Sequence, residues 1–493
     1  MLVVGGGLVG LTTALLLRHH GVEVTVVEKH ATTSAQPKAR RFHTRSMEVF
    51  RQLGLAAAAH EAARDLAGHD HMATGRTLVE SEQLPLWLPP DPDGPVVDAS
   101  PEPPTLIAQD LLEPVLRAAA VDAGATVRFA TELTAFEQRD DGVHAELLDH
   151  RAGRRRSLRA RYLVAADGAR SPVRGALGID RSGRGAVGEP SVSVYFRADL
   201  ADAVRGREFN LCHISHPDHP GALASVDGRF RWVFMGGGAP DRDWPAALRA
   251  VLGVPAPDLE VLSVQSWRAE MLVADRFAAG RVLLAGDAAH VMPPFAALGA
   301  NTGIADAHNL AWKLAAVLDG RAGPALLDSY DAERRPAGWF SADQSTRRMA
   351  AFIDPTAPQD PTLAHPFVLA GARFRYPVGA LVLGPDDVAD EEPVTEFAPA
   401  VRVGTPLPHR WLDAARTRSS LDLAGPGWAL VSGGSPDAAI DGLAHHVLEL
   451  DGLPPGRHAL VRPDQVVAWR GDDPATAARV RDALLAGAVT VSG

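Results

Sequence analysis

Three short stretches of this chain carry residue types and spacings that could do chemistry. In the first, Gly5-Gly6-Gly7-Leu8-Val9-Gly10, the glycines fall as G-x-G-x-x-G between a β run, Leu2 to Val4, and an apolar helical stretch ending near Leu17. That spacing suits pyrophosphate recognition. Gly5 allows a tight turn, Gly7 lets a backbone come close to phosphates, and Gly10 lets helix pack on strand. The first helical residues, Leu8 and Val9, then offer free N–H groups. Glu28 ends the next β run, Val24 to Val27, 18 positions after Gly10, where a carboxylate can accept hydrogen bonds from an adenosine ribose. In the second stretch, Asp167-Gly168 closes a strand-like run, Tyr162 to Ala166. In the third, Gly286-Asp287 follows Val282-Leu283-Leu284. A carboxylate buried behind such a strand is costly unless something pairs with it, so Asp287 is expected to be buried against a hydroxyl-bearing partner.

The glycine fingerprint alone leaves NAD and FAD open. A single mononucleotide motif requires neither of the other two stretches, whereas FAD is long enough to need a second site for its ribityl chain and isoalloxazine. On that reading Asp287 accepts from a ribityl hydroxyl, and Pro293-Pro294 forms a rigid extended wall beside the ring. The apolar positions Ile304, Leu310, Leu314 and Val317 predict a long helix beginning near Asn301 or Thr302. Its positive end would favour an anionic reduced ring by about 0.3–1 kcal/mol.

The elements that must position these residues belong to a chain of 493 residues with 46% hydrophobic and 22% charged side chains, enough for several domains and an ample core. A net charge of −11 argues against nucleic acid as a general partner. The one basic cluster, Arg151 to Arg161, lies between strand-like runs and reads as a solvated hairpin. Cys212 is the sole cysteine, which excludes an intrachain disulfide and fits a cytoplasmic location. The N-terminal apolar run lacks a basic leader and is interrupted by four glycines, so it reads as strand, turn and helix rather than a signal or membrane anchor. Its first strand is short, and the natural chain is expected to begin a few residues earlier.

Together these stretches resemble the class A FAD-dependent aromatic monooxygenases of the p-hydroxybenzoate hydroxylase fold, and within them the aromatic polyketide hydroxylases of anthracycline and angucycline pathways. Further matched segments are "RSMEVFRQLGL" (45–55), "LIAQDLLEPVL" (106–116), "GANTGIADAHNLAWKLA" (299–315), "YDAERRP" (330–336) and "LVRPDQVVAWR" (460–470). The resemblance implies that Lys29 accompanies Glu28 at the adenosine side, that Arg45 contacts the phosphates or adenosine, and that Gln109 contacts the ribityl chain. It also implies that Asp167 bridges FAD and a transient nicotinamide site, and that Pro293 with Leu298, Gly299, Ala300 and Asn301 borders the ring. On the residues alone, Arg45 and Gln109 read equally well as a surface helix charge and a helix cap. Two places depart from the family pattern and bear on the ring environment. Ala296-Ala297 stands where Gly-Gly is usual, and Pro37-Lys38-Ala39-Arg40-Arg41 stands where P-R-x-x-G is usual.

The expected fold is α/β: a Rossmann-like FAD-binding domain in three parts (1–65, 105–174 and 278–384), the last including the closing helix Tyr330 to Trp339. A Pro- and Asp-rich excursion (66–104) and an inserted mixed-sheet substrate domain (175–277) would roof the flavin. A thioredoxin-like tail (385–493) without redox cysteines would serve structure or oligomerisation, which leaves a homodimer open. The implied reaction is hydroxylation of a polycyclic aromatic polyketide by a flavin C4a-hydroperoxide, formed from oxygen after NADPH or NADH, docking transiently, reduces FAD. His213, His216, His219 and Tyr195 are candidate bases for a substrate phenol, each equally readable as a loop or core residue. His290 is read as packed and hydrogen-bonded. A Baeyer–Villiger oxygenase and a non-catalytic flavoprotein that sequesters an aromatic compound remain alternatives. A flavin halogenase is disfavoured because no two tryptophans lie two apart. A plain NAD-dependent dehydrogenase would not need the 167–168 and 286–287 segments.

Overall fold

The computed structural model describes residues 1–84, 99–256, 258–353 (350–353 as backbone), 360–365, 368–369, 375–385, 387, 396–434 and 442–487. Most of the Pro- and Asp-rich run expected to pass over the site, and the segment around the expected start of the C-terminal unit, lie outside the described residues.

Short runs of aliphatic residues buried on both faces favour parallel strands, and this chain uses five. They are ordered Val282–Leu284, Leu163–Ala165, Leu2–Val4, Thr25–Glu28 and Thr126–Phe129, with Ala278–Ala279 added antiparallel at one edge. Their register is level. Val4 lies between Val27 and Ala165, and Ala165 in turn faces Leu284. Helix Leu8–His19 packs against helix Leu298–Leu318 and helix Gln109–Asp122. Helix Leu298–Leu318 starts earlier than its apolar pattern predicts, because the first-turn residues Gly299 and Ala300 are half-exposed and carry no core periodicity. The helix expected over Tyr330 to Trp339 extends from Asp328 to Ile353 and contains Pro336.

The basic cluster contributes strand Arg154–Ala160 to a three-stranded antiparallel sheet with Thr131–Arg139 and Gly142–Asp149, and Arg154, Arg155 and Arg156 are exposed. A separate eight-stranded sheet is built largely from the expected substrate segment, Arg181–Arg197 through Glu260–Ala274. It also recruits Met72–Gly75, which pairs parallel to Leu211–Ile214, and the edge strand Glu82–Gln83. One face of it (Val192, Val194, Phe196, Cys212, Ile214, Trp232, Phe234) packs beneath helix Trp244–Leu252. Because side chains alternate along a strand, the opposite face carries Ser193, Tyr195, Leu211, His213, Val233 and Met235. That face meets the start of helix Gln109–Asp122 through a small core of Ala108, Tyr195, Ala224, Val226 and Val233.

The C-terminal strands Ala429–Ser432, Ala444–Val447, His458–Val461 and Val467–Gly471 form a four-stranded sheet followed by helix Ala475–Leu485. The first two are parallel and the rest antiparallel. Cys212 lies far from this unit in sequence, buried in the eight-stranded sheet. No helix among the described residues is long and apolar enough to cross a membrane.

Candidate active site

Level parallel strands end together, so the residue following each strand arrives at the same edge. Gly5 follows Val4, Glu28 ends its own strand, Asp167 lies just beyond Ala165, and Gly286-Asp287 lies just beyond Leu284. These are the carboxyl ends of adjacent strands, where open α/β sheets hold their ligands. The junction is tight. Gly5 has φ +110°, and a Cβ there would sit 2.1 Å from the Ala166 carbonyl oxygen; a Cβ on Gly10 would sit 1.9 Å from that of Gly5. Val9 touches both Gly286 and Gly303, so the fingerprint, the Gly-Asp turn and helix Leu298–Leu318 meet at one point.

Gly7 differs from the other fingerprint glycines. A Cβ there would meet only a Glu113 oxygen, at 3.4 Å, an ordinary contact. The protein's own packing does not require glycine at position 7, whereas a ligand drawn up to that backbone would. Gly7 also caps helix Leu8–His19 without a side-chain hydrogen bond, and Ala297 likewise caps helix Leu298–Leu318. The Leu8 N–H at the first of these N-termini is met by the Glu113 carboxylate, while the N-cap residue of the second makes no side-chain bond.

The carboxylates are unevenly satisfied. Glu28 accepts the Gly6 N–H at 2.7 Å and the His30 N–H at 2.9 Å, pinning the fingerprint loop, and Lys29 beside it is exposed. Asp167 accepts the Val173 N–H at 3.1 Å through Oδ2, but its buried Oδ1 has no partner. Burial pushes its carboxyl above the usual range. Asp287 corrects the expectation of burial, because its side chain is open to solvent at the strand ends. Protein still crowds it enough to raise its carboxyl, with His290 and Lys38 opposing the rise, and among the described residues nothing donates to it. An orphaned Asp167 oxygen, an unpaired Asp287, the N-terminus of helix Leu298–Leu318 without a side-chain cap and a glycine with no internal reason fit an elongated phosphate- and hydroxyl-bearing group. The residues present fit FAD.

Several predicted contacts are redirected. Arg45 is buried, with its guanidinium on Glu48 (2.9 Å), Gln465, the Asp464 carbonyl (2.7 Å) and His308 (3.3 Å), so its hydrogen bonds go to protein groups rather than outward to a phosphate. The Asn301 amide is also fully used. It accepts from the His43 N–H and Ser46 Oγ, and donates to the carbonyls of Arg41 and Ala297. Gln109 bonds Ala39 and Glu113 at the start of its helix. Leu298 is packed in a small core with Phe340. Pro293 is buried, but Pro294 has ψ 21° and begins a turn instead of an extended wall. Ala296 and Ala297 have φ of 57° and 54°, a left-handed backbone that costs a residue with a Cβ about 1–2 kcal/mol.

Among the base candidates, Tyr195 is bonded to Arg231, which also holds Asp110 and Asp227. Burial raises its phenol further from ionisation, with Arg231 opposing the rise. His213 lies opposite Ala222 on the inner face of the eight-stranded sheet. His216 and His219 stack on each other in the loop after it, with His219 on Arg242. His290 is buried, its Nε2 2.7 Å from Asp306.

Sequence reasoning missed three groups. Asp306 accepts the Gly286 N–H at 3.0 Å and is held by Arg334 at 2.8 Å, so it fixes the Gly-Asp turn from behind. Glu113, buried beside the fingerprint, accepts Ser34 N–H and the Gln109 amide, and burial raises its carboxyl. Its position four residues after Gln109 on one helix was the available signal. His43 donates through Nε2 to the Ala296 carbonyl at 2.7 Å. The motifs around 333 and 462 form a buried ion network. Glu333 is bound by Arg462 (2.8 and 2.9 Å) and Lys313 (2.9 Å), and Arg462 also holds Asp464. This network bolts the C-terminal unit to helix Leu298–Leu318.

The FAD binding domain family matches residues 1–345. Tetracenomycin B2 monooxygenase-dioxygenase of Streptomyces olivaceus is 39% identical, over 96% of this chain and 95% of that protein. Aklavinone 12-hydroxylase DnrF of Streptomyces peucetius is 40% identical, over 88% and 91%. The solved ternary complex of aklavinone-11 hydroxylase with FAD and aklavinone matches with a TM-score of 0.84 at 32% identity, over 98% of this chain and 97% of that one.

Proposed function

Because the chain belongs to the FAD-dependent monooxygenases built on this FAD binding domain, we propose that it hydroxylates a polycyclic aromatic polyketide, with NAD(P)H and dioxygen as co-substrates. The observation that carries the reading is the convergence, at the ends of adjacent strands, of Gly7, which the protein's own packing does not require, the orphaned Oδ1 of Asp167 and the unpaired Asp287. When bound, FAD supplies the electron transfer and oxygen activation that side chains cannot.

The chain's own residues do the rest. The N–H groups of Leu8 and Val9 receive the pyrophosphate, and Glu28 takes the ribose edge while fixing the loop. Asp287 accepts from ribityl hydroxyls. Asp167 offers its free oxygen toward the cofactor and the nicotinamide. The backbone from Leu298 to Ala300 turns positive N–H groups toward the ring, which favours negative charge there. The substrate lies between this turn and the inner sheet face, where Val233, Met235 and Trp267 supply apolar area for a flat ring system. A dry enclosure strengthens every polar interaction inside it. His213 is the residue on that face suited to take a phenol proton. The C-terminal unit acts structurally through its ion network.

The test is anaerobic reduction of the purified yellow protein by NADPH, with and without candidate polyketides, followed by oxygen and product analysis. A ring hydroxyl supports the proposal, while a ring-expanded lactone assigns Baeyer–Villiger chemistry instead. Binding of a polyketide with no stimulated NAD(P)H oxidation would reduce the protein to a sequestering flavoprotein.

A further inference from the structure

The turn entering helix Leu298–Leu318 holds two consecutive alanines in the left-handed region. Such a backbone persists only where its surroundings over-determine it. Here side chains catch three successive carbonyls. Ser345 Oγ shares its one proton between that of Phe295 at 3.0 Å and the nearer Pro293 carbonyl at 2.5 Å, His43 Nε2 donates to that of Ala296 at 2.7 Å, and Asn301 Nδ2 to that of Ala297 at 2.6 Å. Asn301 is itself fixed by the His43 N–H and Ser46 Oγ, so His43 acts on the turn through both its ring and its backbone. Burial lowers the imidazole pKa to about 4, which keeps it neutral, and the carbonyl partner assigns the proton to Nε2.

We propose that His43 is a positioning residue for the flavin: by holding the Ala296 carbonyl it imposes the left-handed alanine pair, and that pair aims the uncapped N-terminus of helix Leu298–Leu318 at the ring end of the FAD site. The inference rests on the FAD reading above. A glycine pair would adopt this backbone unaided, so the clamp does work that alanine alone creates.

The experiment uses purified holoenzyme with four sets of changes: His43→Ala, His43→Gln, the pair Ala296→Gly with Ala297→Gly, and the triple variant combining His43→Ala with both glycines. The readouts are the FAD dissociation constant and the flavin midpoint potential. His43→Ala should weaken FAD about 10-fold, the factor set by one alanine's aversion to this backbone, and lower the potential. His43→Gln, whose amide can donate to the same carbonyl, should stay near wild type. The triple variant should return to within about 3-fold of the glycine pair alone. If His43→Ala does not fold, a folded, FAD-loaded triple variant supports the proposal and an unfolded one overturns it. Unchanged FAD binding and potential in His43→Ala, or a loss that the glycines fail to restore, also overturns it. A wild-type chain that takes up no FAD would instead sink the reading beneath.

Discussion

Changing Gly7 and Gly10 separately to alanine distinguishes a glycine kept for a ligand from one kept for the fold. At Gly10 the new Cβ would lie 1.9 Å from the Gly5 carbonyl oxygen, against backbone that cannot swing aside. Relief needs a shift of more than about 1 Å between helix and strand, an overpacking cost of about 1–3 kcal/mol. At Gly7 the Cβ meets only Glu113 Oε1 at 3.4 Å. The cost to the unliganded fold is then the N-cap preference, about 0.5–1 kcal/mol. In the complex that methyl group stands where phosphate oxygens must approach, and losing one charge-assisted hydrogen bond removes about 1.5–3 kcal/mol. That corresponds to about 10- to 150-fold in the FAD dissociation constant. Melting of the flavin-free protein and FAD titration followed by flavin fluorescence separate the two effects. Gly10→Ala should lower the melting temperature of the flavin-free protein more than Gly7→Ala does. Gly7→Ala should melt near wild type but bind FAD poorly. A Gly7→Ala protein that holds FAD as tightly as wild type would refute the claim that the open space at position 7 belongs to the cofactor.

Three other perturbations test the carboxylates. Asp287→Ala should lose much of the flavin, roughly 10-fold or more in affinity, and a variant purified with full FAD content and activity contradicts the role given to that side chain. Glu113 has a carboxyl raised above its ordinary 4.5, so its charge, beside the N–H groups meant for phosphate, appears as pH rises through that raised value. FAD affinity should fall over the same interval, and Glu113→Gln should flatten the profile between pH 5 and 8; identical profiles would dismiss the coupling. Arg462→Met leaves Glu333 and Asp464 buried with Lys313 as the nearest remaining cation, a loss of about 3–5 kcal/mol. In the wild type, burial alone would raise Glu333, but Arg462 and Lys313 hold it down to about 2. Its stabilisation is thus complete above the ordinary value of 4.5 and fades as pH falls toward 2. In the variant, burial outweighs the remaining charge and pushes Glu333 above 4.5, so stability should rise as pH falls from 8 to 5. Denaturant unfolding across that range reads the sign, and a variant no more stable at pH 5 than at pH 8 defeats the argument.

What the sequence by itself determined is what local geometry dictates. The spacing of Gly5, Gly7 and Gly10 announces a strand–turn–helix. An acid placed directly after a short apolar run must stand at a strand end, which located Glu28, Asp167 and Asp287 before any coordinates. The mixed sheet expected over 175–277 likewise holds strands Arg181–Arg197 and Arg231–Gly236. Tertiary structure decided everything that depends on which distant residues meet. It fixed the level register that brings four strand ends together, and it drew Met72–Gly75 and Glu82–Gln83 into a sheet otherwise built beyond residue 180. It assigned Arg45 to Gln465, 420 positions away, and committed the Asn301 amide to Arg41 and Ala297. It also brought in His43 and Asp306, side chains that no spacing rule marks, and Glu113, marked only by its place four residues after Gln109. The physical reason is that turn preferences and burial patterns act within a few residues, whereas a guanidinium or imidazole takes whichever partner chain folding places within 3 Å.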